Sequence, residues 1–206
     1  MDNNREILKN LISIDNLEKM VAADIIDEIA SNLYKKENFH IKKPNIINKI
    51  PLVIKDIILL IDFDIEVNMN SILGFLENST GVFLNETIDA LDRIGAYEDM
   101  KILKNIKDIM KKYNVSIYDL RENVNNGILY EITSFIETHG DEYDEMADEI
   151  SMEADKLYIG DSDRNIFDNL EIYIEKHKKE LVTEILSWEY CNFNIRLCVM
   201  DKKGII

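Results

Sequence analysis

The run Asp161-Ser-Asp163-Arg-Asn165-Ile-Phe167-Asp-Asn169-Leu-Glu171-Ile172 puts oxygen-bearing side chains at positions 1, 3, 5 and 9 of an EF-hand-like loop, the spacing that binds calcium. Position 6 is Ile166 rather than glycine and position 12 is Ile172 rather than glutamate, so the sharp turn and the bidentate ligand are both missing. Asp163 or Asn165 reads instead as the N-cap of the helix that follows, and no metal is expected. Asp62 and Glu66 lie one helical turn apart, the arrangement of an acid–base pair, although helix surfaces make such pairs routinely. His40, His139 and His177 are scattered, with no HxxxH or ExxH spacing for zinc or di-iron. His177 shares a stripe with Ile166, Leu170, Ile174 and Leu181 and reads as a core or interface histidine. There is no GxSxG and no glycine-rich phosphate loop, so neither a cofactor nor an enzyme is expected.

The strongest signal is charge. Between Glu137 and Glu171 the chain carries thirteen carboxylates against two bases, Lys156 and Arg164. That stretch holds −11 of a net −16, whereas residues 1–60 carry nine acids and nine bases. A field of this sign repels nucleic acid and attracts basic surfaces, and a pI near 4.6 argues against direct phosphate contact.

At 100° per residue, Tyr143, Met146, Ala147, Ile150, Ala154 and Leu157 fall on one arc of a helix and face a core. Asp141, Asp144, Glu145, Asp148 and Asp155 fall on the opposite arc and face solvent, with Met152 among them as an apolar anchor for a partner. A fully helical block would span roughly 52 Å, one carboxylate per about 4 Å, against a phosphate about every 3.4 Å along one DNA strand. The plainer reading is a solvated face that maintains solubility. Its like-charge pairs cost only a few tenths of a kcal/mol each.

Few glycines (seven) and prolines (two) favour long helices, and the expectation is an all-α, single-domain bundle over residues 1–206. Helices are expected near 4–13, 16–35, 51–67, 71–77, 84–94, 97–113, 117–124, 128–138, 141–158 and 165–189, joined at 37–50 by a basic connector. In the extension 190–206, Phe193, Ile195, Leu197 and Val199 alternate with polar positions, which predicts a short strand or hairpin packed, with Trp188, into the fold or a dimer contact. The longest apolar run, Ile57–Ile61, is too short to span a bilayer, and the start lacks a secretory pattern. Cys191 and Cys198 without CxxC spacing fit a reducing, cytoplasmic setting.

Residues 66–103 carry a recognisable motif. Glu66, Val67, Phe75, Asn78, Ser79 and Gly81, then Glu86, Thr87, Ala90, Leu91, Ile94, Gly95 and Ala96, match in register a pattern E-V-x-N-G-G-F-x-Q-[YF]-F-x-N-S-x-G followed by E-T-x-x-A-L-x-x-I-G-A. The chain resembles the bacterial DNA-mimic protein family, with a family-like core over about 51–180. It departs from the pattern at Met69-Asn70-Ser71, where the family has Asn-Gly-Gly, and at Gly74, where it has Gln. Glu66, Asn78, Gly81, Ala90, Leu91 and Gly95 read as architecture: a helix stop, a turn, a packed face and a close crossing. The resemblance implies an all-α fold. At least one member of the family is a dimer that displays carboxylates as DNA phosphates would be and so occupies the DNA-binding face of a transcription regulator. A homodimer and a basic protein partner are therefore the expectations here.

The expected function is an acidic module that uses Asp141, Asp144, Glu145, Asp148, Asp155, Asp161 and Asp163 to meet a basic surface, such as that of a nucleic-acid-binding protein. No nucleic acid or membrane is contacted directly. An immunity or antitoxin protein that neutralises a basic toxin has the same charge logic, and a structural module without a charged partner remains the plain alternative. An enzyme with Glu66 as base ranks behind these.

Overall fold

The structure, a computed structural model, describes residues 2–126 and 139–201. Among them every regular element is helical, as composition requires. The helices are α1 (Asp2–Leu11), α2 (Ala22–Leu33), the single turn α3 (Pro44–Ile47), α4 (Leu52–Glu77), α5 (Leu84–Ile94), α6 (Tyr97–Lys112), α7 (Ile117–Asn126), α8 (Asp144–Ala154) and α9 (Ile166–Asp201). The helix expected at 128–138 lies outside the described residues. The chain divides into two compact units, Met1–Ile58 with Glu171–Ile206, and Leu59–Leu170.

In the first unit, α1 packs on α2, which buries Ala22, Ile25, Ile26, Ile29 and Leu33 on one face. A helix expected from residue 16 starts instead at Ala22, after a 3₁₀ turn at Ile14–Asn16. The cause is a distant cap. Glu175 Oε1 accepts the Ala22 N–H at 2.8 Å, and Lys178 Nζ donates to Met20 O at 2.9 Å. Together they satisfy backbone groups that an unbroken helix would have paired internally. In the connector, buried Asn38 donates from Nδ2 to Asn32 O at 2.9 Å and to Asn10 O at 3.3 Å.

The expected C-terminal strand is not formed. Residues 192–199 continue α9, which runs to Asp201. No glycine or proline interrupts the chain from Ile166 to Asp201. Extending an existing helix adds one hydrogen bond per residue, while a lone strand has no neighbour to pair with. The burial expected of Trp188, Phe193, Ile195 and Leu197 lies outside the described side chains.

In the second unit, α6 packs against α5 on one side and α8 on the other. The apolar faces are those that periodicity demands: Ile88, Ala90, Leu91 and Ile94 on α5, and Met100, Leu103, Ile106 and Met110 on α6. Phe63 meets Phe75 edge to face, centroids 5.1 Å apart. Gly95, at φ 83°, supplies the left-handed residue that ends α5, and the Ala96 N–H closes onto Leu91 O at 2.9 Å.

Candidate functional site

α8 carries the centre of the acid block. Met146, Ala147 and Ile150 are buried, which turns the opposite side outward. Glu145 and Asp148 are exposed on that side, Asp144 is half-buried, and the flanking Asp141 and Asp155 are exposed. None of these five carboxylates forms a salt bridge with a described residue. Met152 stands among them, 70% exposed.

The remaining α8 acids do something different. Glu149 Oε1 takes Lys112 Nζ at 2.5 Å and the Tyr113 hydroxyl at 2.8 Å. Glu153 takes Asn105 Nδ2 at 2.7 Å and pairs with Lys156. These partners hold both carboxyls below the usual carboxylate range, Lys112 foremost for Glu149 and Asn105 for Glu153. The block therefore separates into acids that fasten α8 to α6 and acids that carry unneutralised charge outward.

Arg164, which by sequence is only one of two bases in the block, organises the loop after α8. Its Nε donates to Asp161 Oδ2 at 2.9 Å, and its Nη1 lies 3.2 Å from Glu98 and 3.4 Å from Asp99. Nη2 donates to Lys156 O. Asp99 is buried, 3% exposed, and its Oδ1 also accepts the Tyr158 N–H at 2.8 Å. Burial pushes the Asp99 carboxyl up, against the lowering effect of that N–H and of Arg164. The Tyr158 hydroxyl, itself raised by burial, donates to Asp64 Oδ1 at 2.6 Å. The loop is thus pinned by one guanidinium and one buried carboxylate.

Of the two acids expected from this loop, Asp163 is exposed, and Asp161 is half-buried against Arg164. The Asp163 N–H and Arg164 engage both Asp161 oxygens and hold its carboxyl low, the Asp163 N–H foremost. Asn165 is the N-cap of α9, accepting the Phe167 N–H at 3.0 Å. Among the described residues no group of three or more His, Cys, Asp or Glu is placed to hold a metal ion. His139, buried, meets Glu77 Oε1 at 2.8 Å, and His177 is half-buried against Tyr173 with Nδ1 3.0 Å from Glu180. Asp62 is buried, and Glu66 faces asparagines, so the two do not form an open acid pair.

The motif residues have structural places. Glu66 Oε2 accepts Asn78 Nδ2 at 2.7 Å, joining α4 to the turn that follows it. Gly81 lies so close to that helix end that a Cβ there would be 2.3 Å from Leu76 O. Ala90 and Leu91 are fully buried on α5. The profile of the DMP19-like proteins matches residues 48–177. The chain belongs to the DMP19-like protein family. This is the DNA-mimic group that residues 66–103 resemble, and the matched span of this DMP19-like chain takes in α8 and its outward acids. No curated protein and no solved structure matches the chain. Among the described residues no helix is long and apolar enough to cross a membrane.

Proposed function

We propose that this DMP19-like chain is a non-enzymatic, cytoplasmic protein-binding module. Its outward acids stand in for DNA phosphates on the basic surface of a transcription regulator or another nucleic-acid-binding protein. The observation that carries this reading is the row Asp141, Glu145, Asp148 and Asp155, exposed and without ion pairs among the described residues, inside the family-matched span. Glu145 and Asp148 are three residues apart on α8, about 4.5 Å along its axis, comparable with the DNA phosphate step. Asp144 supports the same field, Asp163 extends it past the loop, and Asp161 lies at the loop with its charge shared by Arg164. We also expect the functional unit to be a homodimer.

Affinity capture from a bacterial lysate with the full chain tests this. The expected capture is a DNA-binding protein that elutes at raised salt, because exposed charges are screened within about 8 Å at physiological ionic strength. Duplex DNA should displace it. A captured protein that holds the chain and a DNA duplex simultaneously would overturn the reading.

A further inference from the structure

Away from the acid face the second unit holds a cleft of about 850 Å³. α6 forms one wall and the α6–α7 turn the other, with the start of α5 between them. Three lysines of α6, Lys104, Lys107 and Lys111, line it and are exposed. None of the three pairs with a carboxylate among the described residues, whereas Lys112 next door is taken by Glu149. Val82, Val115 and Ile117, each half-buried, give the cleft its accessible apolar surface over the buried Leu84 and Met110, and Tyr118, 76% exposed, stands at its rim. Two acids also line it. Asp119 is already engaged, accepting the Ser116 N–H at 2.8 Å and the Ser116 hydroxyl at 2.7 Å. Asp108 is exposed one helical turn from both Lys104 and Lys111 without an ion pair to either.

We propose that this cleft binds an acidic amphipathic helix of a partner protein, its carboxylates on the three lysines and its apolar stripe on Val82, Val115, Ile117 and Tyr118. The match is one of pitch. Lys104, Lys107 and Lys111 advance about 4.5 and 6 Å along α6, the spacing of residues three and four apart on any helix. An acidic helix laid alongside therefore meets each lysine in turn, while its other stripe has an apolar surface to cover, the helix-in-groove mode of recognition. Nucleic acid fits less well. A duplex offers the groove only its charged backbone and gains nothing from apolar surface. A chain of net charge −16 repels a polyanion along its whole length, single strands included. A short acidic helix presents only a few charges to that field. The cleft shares no residue with the outward acids of α8, so the inference stands independently of the function proposed for them.

The test titrates the full chain into a fluorescein-labelled 14-residue helical peptide with Glu at one-turn spacing and Leu on the adjacent stripe, read by anisotropy. The same peptide with Gln for Glu and a single-stranded oligonucleotide of equal length serve as comparison probes. Saturable binding to the Glu peptide is expected, weakened at least tenfold in Lys104→Glu/Lys107→Glu, in Tyr118→Asp and with the Gln peptide. Circular dichroism establishes that both variants keep the parent helicity, and the second variant leaves the lysines intact. The proposal is overturned by absence of saturable binding, by equal binding to the variants or to the Gln peptide, or by an oligonucleotide that binds as tightly. It is also overturned if light scattering shows that a second copy of the chain fills the cleft and is lost in the same variants.

Discussion

Asn70 Cβ stands 2.4 Å from the point that a Cβ on residue 74 would occupy, so Gly74 is the side-chain-free position that lets α4 break where it does. The break is at Ser71, with φ 63° and ψ 178°, a conformation nearly confined to glycine. The family pattern has glycine at position 71 and glutamine at 74; this chain has serine and glycine. The two departures belong together, because the turn that strains Ser71 also carries Asn70 over residue 74.

Ser71→Gly should raise stability by about 1 kcal/mol, the relief of backbone strain reduced by glycine's greater freedom when unfolded. Ser71→Val should lower it. Gly74→Gln in the present chain should be destabilising, through the contact with Asn70. Chemical denaturation of the three variants checks this; a destabilised Ser71→Gly would mean the serine side chain contributes more than its backbone costs.

Asn78→Ala should cost roughly 1 kcal/mol, since it removes a part-buried hydrogen bond to Glu66. Glu66→Gln, which keeps an acceptor, should cost less. If the two variants melt alike, the Asn78 amide donor is not what joins α4 to the following turn.

Replacing Asp141, Asp144, Asp148 and Asp155 together with Asn should abolish partner capture and leave the fold intact. Substitutions at the exposed Asp141, Asp148 and Asp155 shift stability by less than about 0.5 kcal/mol each. Half-buried Asp144 in the first turn of α8 gives up a dipole interaction of about 0.3–1 kcal/mol, and loss of like-charge repulsion acts in the stabilising direction. Arg164→Ala should behave oppositely and cost about 2–3 kcal/mol, because buried Asp99 loses its cation. Thermal melts beside salt-dependent capture separate the two outcomes; a quadruple variant that melts far below the parent would show that these carboxylates hold structure.

Acid should erase the effect of Glu149. Its carboxyl is held low by Lys112 and Tyr113, so the stability it contributes is present above its ordinary value of 4.5 and is lost as pH falls through the lowered value. The melting difference between the parent and Glu149→Gln is therefore expected at pH 7 and should shrink as pH falls below 4.5 and close once it is under the lowered value. Asp99 has the opposite sign. Its carboxyl is raised by burial, so its contribution is present below 3.8 and is lost as pH rises through the raised value. The Asp99→Asn difference should accordingly move in the variant's favour over that rise. A Glu149→Gln difference independent of pH would show that packing, rather than charge, is what that side chain supplies.

Local order was legible in the chain itself. Spacing at three and four residues placed Met146, Ala147 and Ile150 inward and Glu145 and Asp148 outward, and Gly95 marked the end of α5. Composition excluded a strand-rich fold, and the motif from Glu66 to Ala96 led to the family. These are short-range properties, fixed by side-chain periodicity and backbone freedom. Where groups meet across long stretches of chain, the tertiary structure decided. Glu175 starts α2 from 153 residues away, and Arg164 finds Asp99 across 65. No spacing in the chain distinguishes Glu149, bound to Lys112, from Asp148, left open, although the two are adjacent. The same limit misread the end of α9: alternation over eight residues resembles a strand, but hydrogen bonding that propagates from an established helix outweighs it.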